Sequence, residues 1–276
     1  MLRSRVLTAI VLLGAFLACV FLLPDAGFEG LAGVVASLAA WEWAGLAGFR
    51  DRGRYGFAAA CALVYAFLAS VLGMRHLDET AAAALFAMAT GFWLLVAPAW
   101  LARGVRLQSR VLAVAIGALV IIPAALAMAG LREYSPWLLL AVLALVWIAD
   151  TAAYFAGRRF GRRKLAPAIS PGKTWEGFAG GLGAGIAYAI ILAVAAPPGL
   201  PAPERAAWAG YALIAVLLCA LSVVGDLFES AVKRRAGVKD SGSLLPGHGG
   251  VLDRIDSATS TLPVAALAMF VYSRWA

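Results

Sequence analysis

At 276 residues, 63% of them hydrophobic and only 14% charged, with a mean hydropathy of +0.88, the chain lies outside the composition of a water-soluble domain and reads as an integral membrane protein. Its net charge of +8 calls for anionic partners, yet the basic residues are divided among short segments beside apolar runs and accompany no nucleic-acid-binding module, so nucleic acid is not expected as a partner. Cys19, Cys61 and Cys219 all fall in apolar runs, and with His76 and His248 they supply neither a disulfide framework nor a zinc ligand set, which leaves the chemistry to carboxylates, lysines and backbone.

Nine apolar runs follow one another: Val6 to Leu23, Leu31 to Phe49, Tyr55 to Leu72, Thr80 to Leu101, Val111 to Leu131, Pro136 to Tyr154, Gly177 to Ala196, Ala207 to Val232 and Ala258 to Tyr272. At about 1.5 Å per residue, a helical run of about 20 residues crosses a hydrocarbon layer about 30 Å thick. The first run follows Arg3 and Arg5 but has no small-residue cleavage site before Pro24, so it reads as a retained span and not as a signal peptide. No repeat or linker sets off a soluble part. The prediction is an all-α, polytopic helical bundle of about nine spans forming one domain, with N-terminal spans over 1–135 and catalytic spans with their cytoplasmic loops over 136–276.

Charge gives the bundle an orientation, because cytoplasmic loops are rich in Lys and Arg. Nineteen of the 23 basic residues fall on one side: Arg3 and Arg5, then Arg50 to Arg54, Arg103 to Arg110, Arg158 to Lys173, and Lys233 to Arg254. Arg75, Arg132, Arg205 and Arg274 fall on the other, so the N-terminus is expected inside and the C-terminus outside. The inner face then attracts anionic headgroups and phosphorylated solutes. Glu42, between Trp41 and Trp43 in the second run, stands far from the inner mouth and reads as a helix-packing partner, against the default that an intramembrane acid is functional. Gly177, Gly180, Gly181, Gly183 and Gly185 read as a face for close helix packing.

Polar residues concentrate in two inner segments. The first holds Asp150, at the inner end of the sixth run, and the loop Ser170-Pro171-Gly172-Lys173-Thr174, a cation and two hydroxyls placed just before a helix N-terminus, where an anion is favoured. Asp150 either faces the same cavity or makes a polar contact between helices. In the second segment Asp226, Glu229, Ser230 and Lys233 occupy i, i+3, i+4 and i+7, one face of a helix. Carboxylates at that depth are costly unless they meet water, a cation or a partner. A Mg²⁺ at the cytoplasmic mouth would answer this, and so would a Glu229–Lys233 pair beside a structural Asp226.

Asp253 and Asp256, three apart at the start of the ninth run, can return to the same mouth, and Mg²⁺ needs only a few aspartates when it shares substrate phosphates. Asp256 is equally suited to cap a helix. Gly247, Gly249 and Gly250, around His248, supply approachable amides, and Lys233, Lys239 and Arg254 flank them with cations.

The stretch Ser230-x-Val232-Lys233-Arg234-x₄-Lys239-Asp240-x-Gly242-x₂-Leu245-Pro246-x-His248-Gly249-Gly250-Val251-x-Asp253-Arg254-Ile255-Asp256 resembles the phosphatidate cytidylyltransferase (CDP-diacylglycerol synthase) family pattern. The Asp150 segment and the loop from Ser170 to Gly177 are similar to that family as well, so the likeness covers the C-terminal half, while the first five runs match in hydrophobic character only. The resemblance implies Mg²⁺-dependent transfer of a cytidylyl group from CTP to phosphatidic acid, in the inner membrane with the site facing the cytoplasm, by a homodimer.

On that reading Asp226 and Asp253 hold one or two cations, with Glu229 and Asp256 as further ligands or their neighbours. Lys233, Lys239 and Arg254 counter phosphate charge, and Asp240 and His248 complete the expected catalytic set, His248 as a phosphate donor or a turn residue. Asp150, Ser170, Lys173, Thr174, Ser230, Arg234, Gly249 and Gly250 are expected to bind substrate. An ion-coupled transporter would not need this cytoplasmic cluster, a CTP-using lipid kinase would release CDP instead of pyrophosphate, and a scaffold would tolerate loss of the acids.

Overall fold

The structure, a computed structural model, describes residues 2–72, 80–104, 109–195, 199–200, 208–245, 247 and 249–275. Within them the chain is almost entirely helical: α1 (Leu2–Leu22), α2 (Asp25–Leu46), α3 (Asp51–Leu72), α4 (Thr80–Gly91), a π-helical turn (Phe92–Val96), α5 (Ala97–Arg103), α6 (Arg110–Tyr134), α7 (Pro136–Phe160), α8 (Trp175–Ala195), α9 (Trp208–Arg235) and α10 (Leu252–Trp275). The turn joins α4 and α5 into one rod. Pro98 lacks the N–H that a regular α-turn would use, and the wider turn before it absorbs the mismatch.

Every apolar run is the centre of a helical rod, but among the described residues seven rods are long and apolar enough to cross a membrane. These are α3, the α4–α5 rod, α6, α7, α8, α9 and α10. Seven of the nine expected spans thus meet that measure of length and composition. In α1 the apolar part is shorter, Ile10–Leu22, and in α2 the acids Glu29 and Glu42 dilute an alanine- and glycine-rich sequence.

The all-α expectation holds, with one small addition. Lys164–Ala166 (β1) and Ser170–Thr174 (β2) pair antiparallel, Lys164 opposite Thr174 and Ala166 opposite Ser170, so the expected loop before α8 is a small hairpin. Pro167 and Pro171 bar a helix here. The hairpin is clasped at its base: Thr174 Oγ1 accepts from Gly177 N at 3.0 Å, capping α8, and Glu176 accepts from the Arg162 and Arg163 amides at 3.0 and 3.2 Å.

Two backbone-close crossings set the helix ends that carry the polar residues. Along α7 and α8, a Cβ on Gly177 would lie 2.8 Å from Ala153 O and one on Gly181 2.7 Å from Ala149 O, so the glycine face serves packing as expected, with Gly183 turned to open space. Along α9 and α10, a Cβ on Gly225 would lie 2.7 Å from Asp256 O, and Ser260 Oγ donates to Leu221 O at 2.7 Å. This second crossing brings Asp226 beside the first turns of α10.

Beneath it Phe228 is fully enclosed by Trp43, Phe92, Trp93 and Trp100, with ring centroids 5.4 Å away at Trp93 and 5.6 Å at Phe92, which seats α9 against α2 and the π turn. At the opposite end Arg132, expected among the outer charges, is buried, pairs with Asp25 and donates to Leu23 O, tying α6 to the α1–α2 turn.

Candidate active site

The α9 stripe exists, and it divides into two lysine-centred groups. In the deeper one, Lys233 Nζ lies 2.6 Å from Asp253 Oδ1 on α10 and 3.1 Å from Glu229 Oε1, one turn earlier on α9. Lys233, Glu229 and the carboxyl of Asp253 are all buried. The predicted intrahelical pair is thus present, extended to a triad that joins α9 to α10. Lys233 is fully engaged with protein carboxylates in this arrangement.

The outer group is built on Lys173. From β2 its Nζ reaches 2.8 Å from Asp226 Oδ2, and Ser230 Oγ donates to Asp226 Oδ1 at 3.2 Å. Asp150 on α7 interacts electrostatically with both Lys173 and Asp226 and is within hydrogen-bond reach of Ser257. Asp256 on α10 interacts with Asp226, Lys173 and Lys233, and so lies between the two groups. Acids from α7, α9 and α10 converge here on one lysine from the hairpin. Asp256 lies within α10 and is not its N-cap, so the capping alternative is set aside.

Described residues of the loop after α9 contact the deeper group. Asp253 Oδ2 accepts from Ser241 N and Gly250 N, both at 2.8 Å. Gly249 has φ +80°, and a Cβ there would meet Asp253 Oδ2 at 2.7 Å, so this position requires glycine. Gly250 is buried in the same turn. Lys239 and Asp240 are exposed on the loop, Arg254 is exposed on the first turn of α10, and Arg234 donates to Val238 O at 3.0 Å at the end of α9. Ser170 is half-buried in β2. Thr174 is buried with its hydroxyl on the α8 cap, so that hydroxyl supports the hairpin. His248 and Pro246 lie outside the described residues.

Among the described residues no three His, Cys, Asp or Glu side chains are gathered closely enough to hold a metal ion by themselves. The donor set suits a different kind of binding. Asp226, Asp256 and Asp150 are hard oxygen donors at an accessible mouth, and Mg²⁺ is commonly held by one or two carboxylates that leave its other positions to water and substrate phosphates.

One acid was misjudged from sequence. Glu42 makes its contacts with the same loop, accepting from Ser241 Oγ at 2.9 Å, Val251 N at 3.0 Å and Leu252 N at 2.8 Å. Its sequence signal was a lone carboxylate in an apolar run.

Residues 3–272 match the Cytidylyltransferase family. The chain is 42% identical over 276 residues to the phosphatidate cytidylyltransferase of Pseudomonas aeruginosa, covering 98% of this chain and 97% of that one. It is 38% identical over 283 aligned residues to the protein of the same name from Haemophilus influenzae, covering 95% and 96%. Against the Bacillus subtilis protein of that name the identity is 44% over 129 residues, covering 47% of this chain and 46% of the other.

Proposed function

This chain belongs to the Cytidylyltransferase family, and we propose that it transfers the cytidylyl group of CTP to phosphatidic acid, giving CDP-diacylglycerol and pyrophosphate for phospholipid synthesis. The observation that carries this is the likeness, nearly end to end, to proteins named for that reaction. The convergence of acids and lysines at one end of the α7–α10 bundle supplies a place for it.

A phosphate oxygen of phosphatidic acid attacks the α-phosphorus of CTP; a new P–O bond forms, the bond between the α-phosphorus and its bridging oxygen breaks, and pyrophosphate leaves. Phosphatidate is already ionised near neutral pH, so positioning and charge stabilisation matter more than a strong base. Mg²⁺, when bound, would neutralise charge developing on the phosphates. Asp226 and Asp256 are the residues best placed to hold it with the substrate's own oxygens, and Asp253 and Glu229, held to Lys233, stand next to them. A second cation, if used, would share Asp150 with the substrate's oxygens in the same way.

Lys173 is the cation placed to exchange Asp226 for a phosphate, and Lys239, Arg254, Arg234 and Asp240 surround the exposed mouth. Ser170, Ser230 and the glycine turn at Gly249 and Gly250 are proposed as further substrate contacts, and His248 adds a donor in the same turn of sequence. In the proposed topology all nine rods cross the bacterial inner membrane, the N-terminus inside and the C-terminus outside, with the site facing the cytoplasm; the sidedness of Lys and Arg supports it. Exposed apolar faces on α3 and α8 are available to lipid and to a second copy of the chain in a homodimer.

Purified protein given labelled CTP, Mg²⁺ and phosphatidic acid should yield a liponucleotide and pyrophosphate, and chelation should stop it. CDP as the product would instead indicate γ-phosphoryl transfer, and solute flux without CTP turnover would indicate transport.

A further inference from the structure

Glu42 is fully buried in α2, yet its carboxylate is satisfied from the far half of the chain. Val251 N and Leu252 N stand at the start of α10, where backbone amides have no intrahelical acceptor, and the positive end of the helix dipole favours an anion. The loop is shaped to admit the carboxylate. A Cβ on Gly242 would lie 2.5 Å from Glu42 Oε1, and one on Gly250 would collide with both Ser241 Oγ and Glu42.

A cap alone would stabilise α10 and nothing more. The third contact goes further, because Ser241 Oγ lies 2.9 Å from Glu42 Oε2 and 3.0 Å from Asp253 Oδ2, so a single hydroxyl proton is shared between the two carboxylates. The other oxygen of Asp253 is the one that meets Lys233. A continuous chain of contacts therefore runs from α2 through Ser241 to Asp253 and on to α9.

We propose that Glu42 is a positioning residue of the nucleotide site: it fixes Ser241 and the Gly250–Leu252 turn and, through Ser241, the setting of Asp253, so that α2 is part of the catalytic apparatus. This rests on the cytidylyl-transfer reading above. Glu42 touches no substrate in this scheme; it acts by holding Ser241 and the Gly250–Leu252 turn, which in turn hold Asp253.

The test uses Glu42→Gln in the full-length protein, which keeps the side chain's size but turns one acceptor into a donor facing N–H groups. Per folded molecule, kcat/KM for CTP should fall about 10–100-fold, as for other residues that orient a ligating group. Amide hydrogen exchange at Gly250, Val251 and Leu252 should accelerate while α7 and α8 keep their protection. Parental CTP kinetics per folded molecule, or unchanged exchange at those amides, would overturn the proposal, whatever the unfolding midpoint does. Ser241→Ala keeps the backbone contacts and removes the shared proton; it should lower kcat/KM in the same direction, and the double variant should lose less than the product of the two single losses. Strict multiplicativity would refute the coupling. If Glu42→Gln does not fold, Ser241→Ala with parental CTP kinetics overturns the idea by itself. A parent protein without CTP turnover would fault the reaction and leave the anchoring to the exchange measurement, which reads it independently.

Discussion

Lys173 and Lys233 both hold a carboxylate of α9, in different surroundings. The side chains of Lys233, Glu229 and Asp253 are 9%, 5% and 6% exposed, whereas those of Lys173 and Asp226 are 23% and 32% exposed. Water cannot replace a lost partner in the deeper group, so it acts as a fixed strut between α9 and α10. The outer pair sits in a medium where exchanging one anion for another changes the energy little. One lysine therefore sets the frame, and the other is the one proposed to trade its carboxylate for a phosphate.

The sharpest way to break this contrast is Lys233→Ala, which leaves Glu229 and Asp253 buried without their cation. It should cost about 3–5 kcal/mol of stability and abolish turnover, read from thermal unfolding in detergent and from product formation. An unchanged midpoint would place Lys233 with the exchangeable groups. Asp226→Asn should behave in the opposite way, lowering kcat about 10²–10³-fold while unfolding stays within about 1 kcal/mol of the parent, as steady-state kinetics and the same melts will show. Gly225→Ala tests the crossing that brings Asp226 to Asp256: its Cβ would lie 2.5 Å from Ser260 Oγ, and a loss of about 1–3 kcal/mol with reduced activity is expected. The mildest change is Lys173→Ala, with stability altered by no more than about 1 kcal/mol and KM for CTP raised about tenfold, the equivalent of one charge-assisted hydrogen bond. An unaltered KM would remove Lys173 from phosphate binding.

Hydropathy located every rod, because burial in lipid demands a long apolar helix and little else. It could not find the ends. α10 begins at Leu252, six residues before the apolar run, because Asp253 and Asp256 are good residues for a helix's first turns and poor ones for an apolar count. The hairpin at 164–174 has strands too short for any alternation to register. Spacing alone put Asp226, Glu229 and Lys233 on one face, since i, i+3, i+4 geometry is local. The place of Lys173 beside Asp226 and the tie between Glu42 and Ser241, 199 residues apart, depend on how helices cross, which local pattern does not encode. The same holds for Arg132, counted as a topology signal and found holding the α1–α2 turn.

The glycine contact between α7 and α8 has a mechanical consequence. With Gly177 and Gly181 against the backbone of Ala153 and Ala149, the two rods meet there without a large side chain between them to act as a compressible spacer. The rods and the hairpin joining them must swing as a single lever, with Asp150 and Lys173 fixed near its working end. Any rearrangement that opens a passage for a bulky two-tailed lipid by moving this lever would carry both residues together.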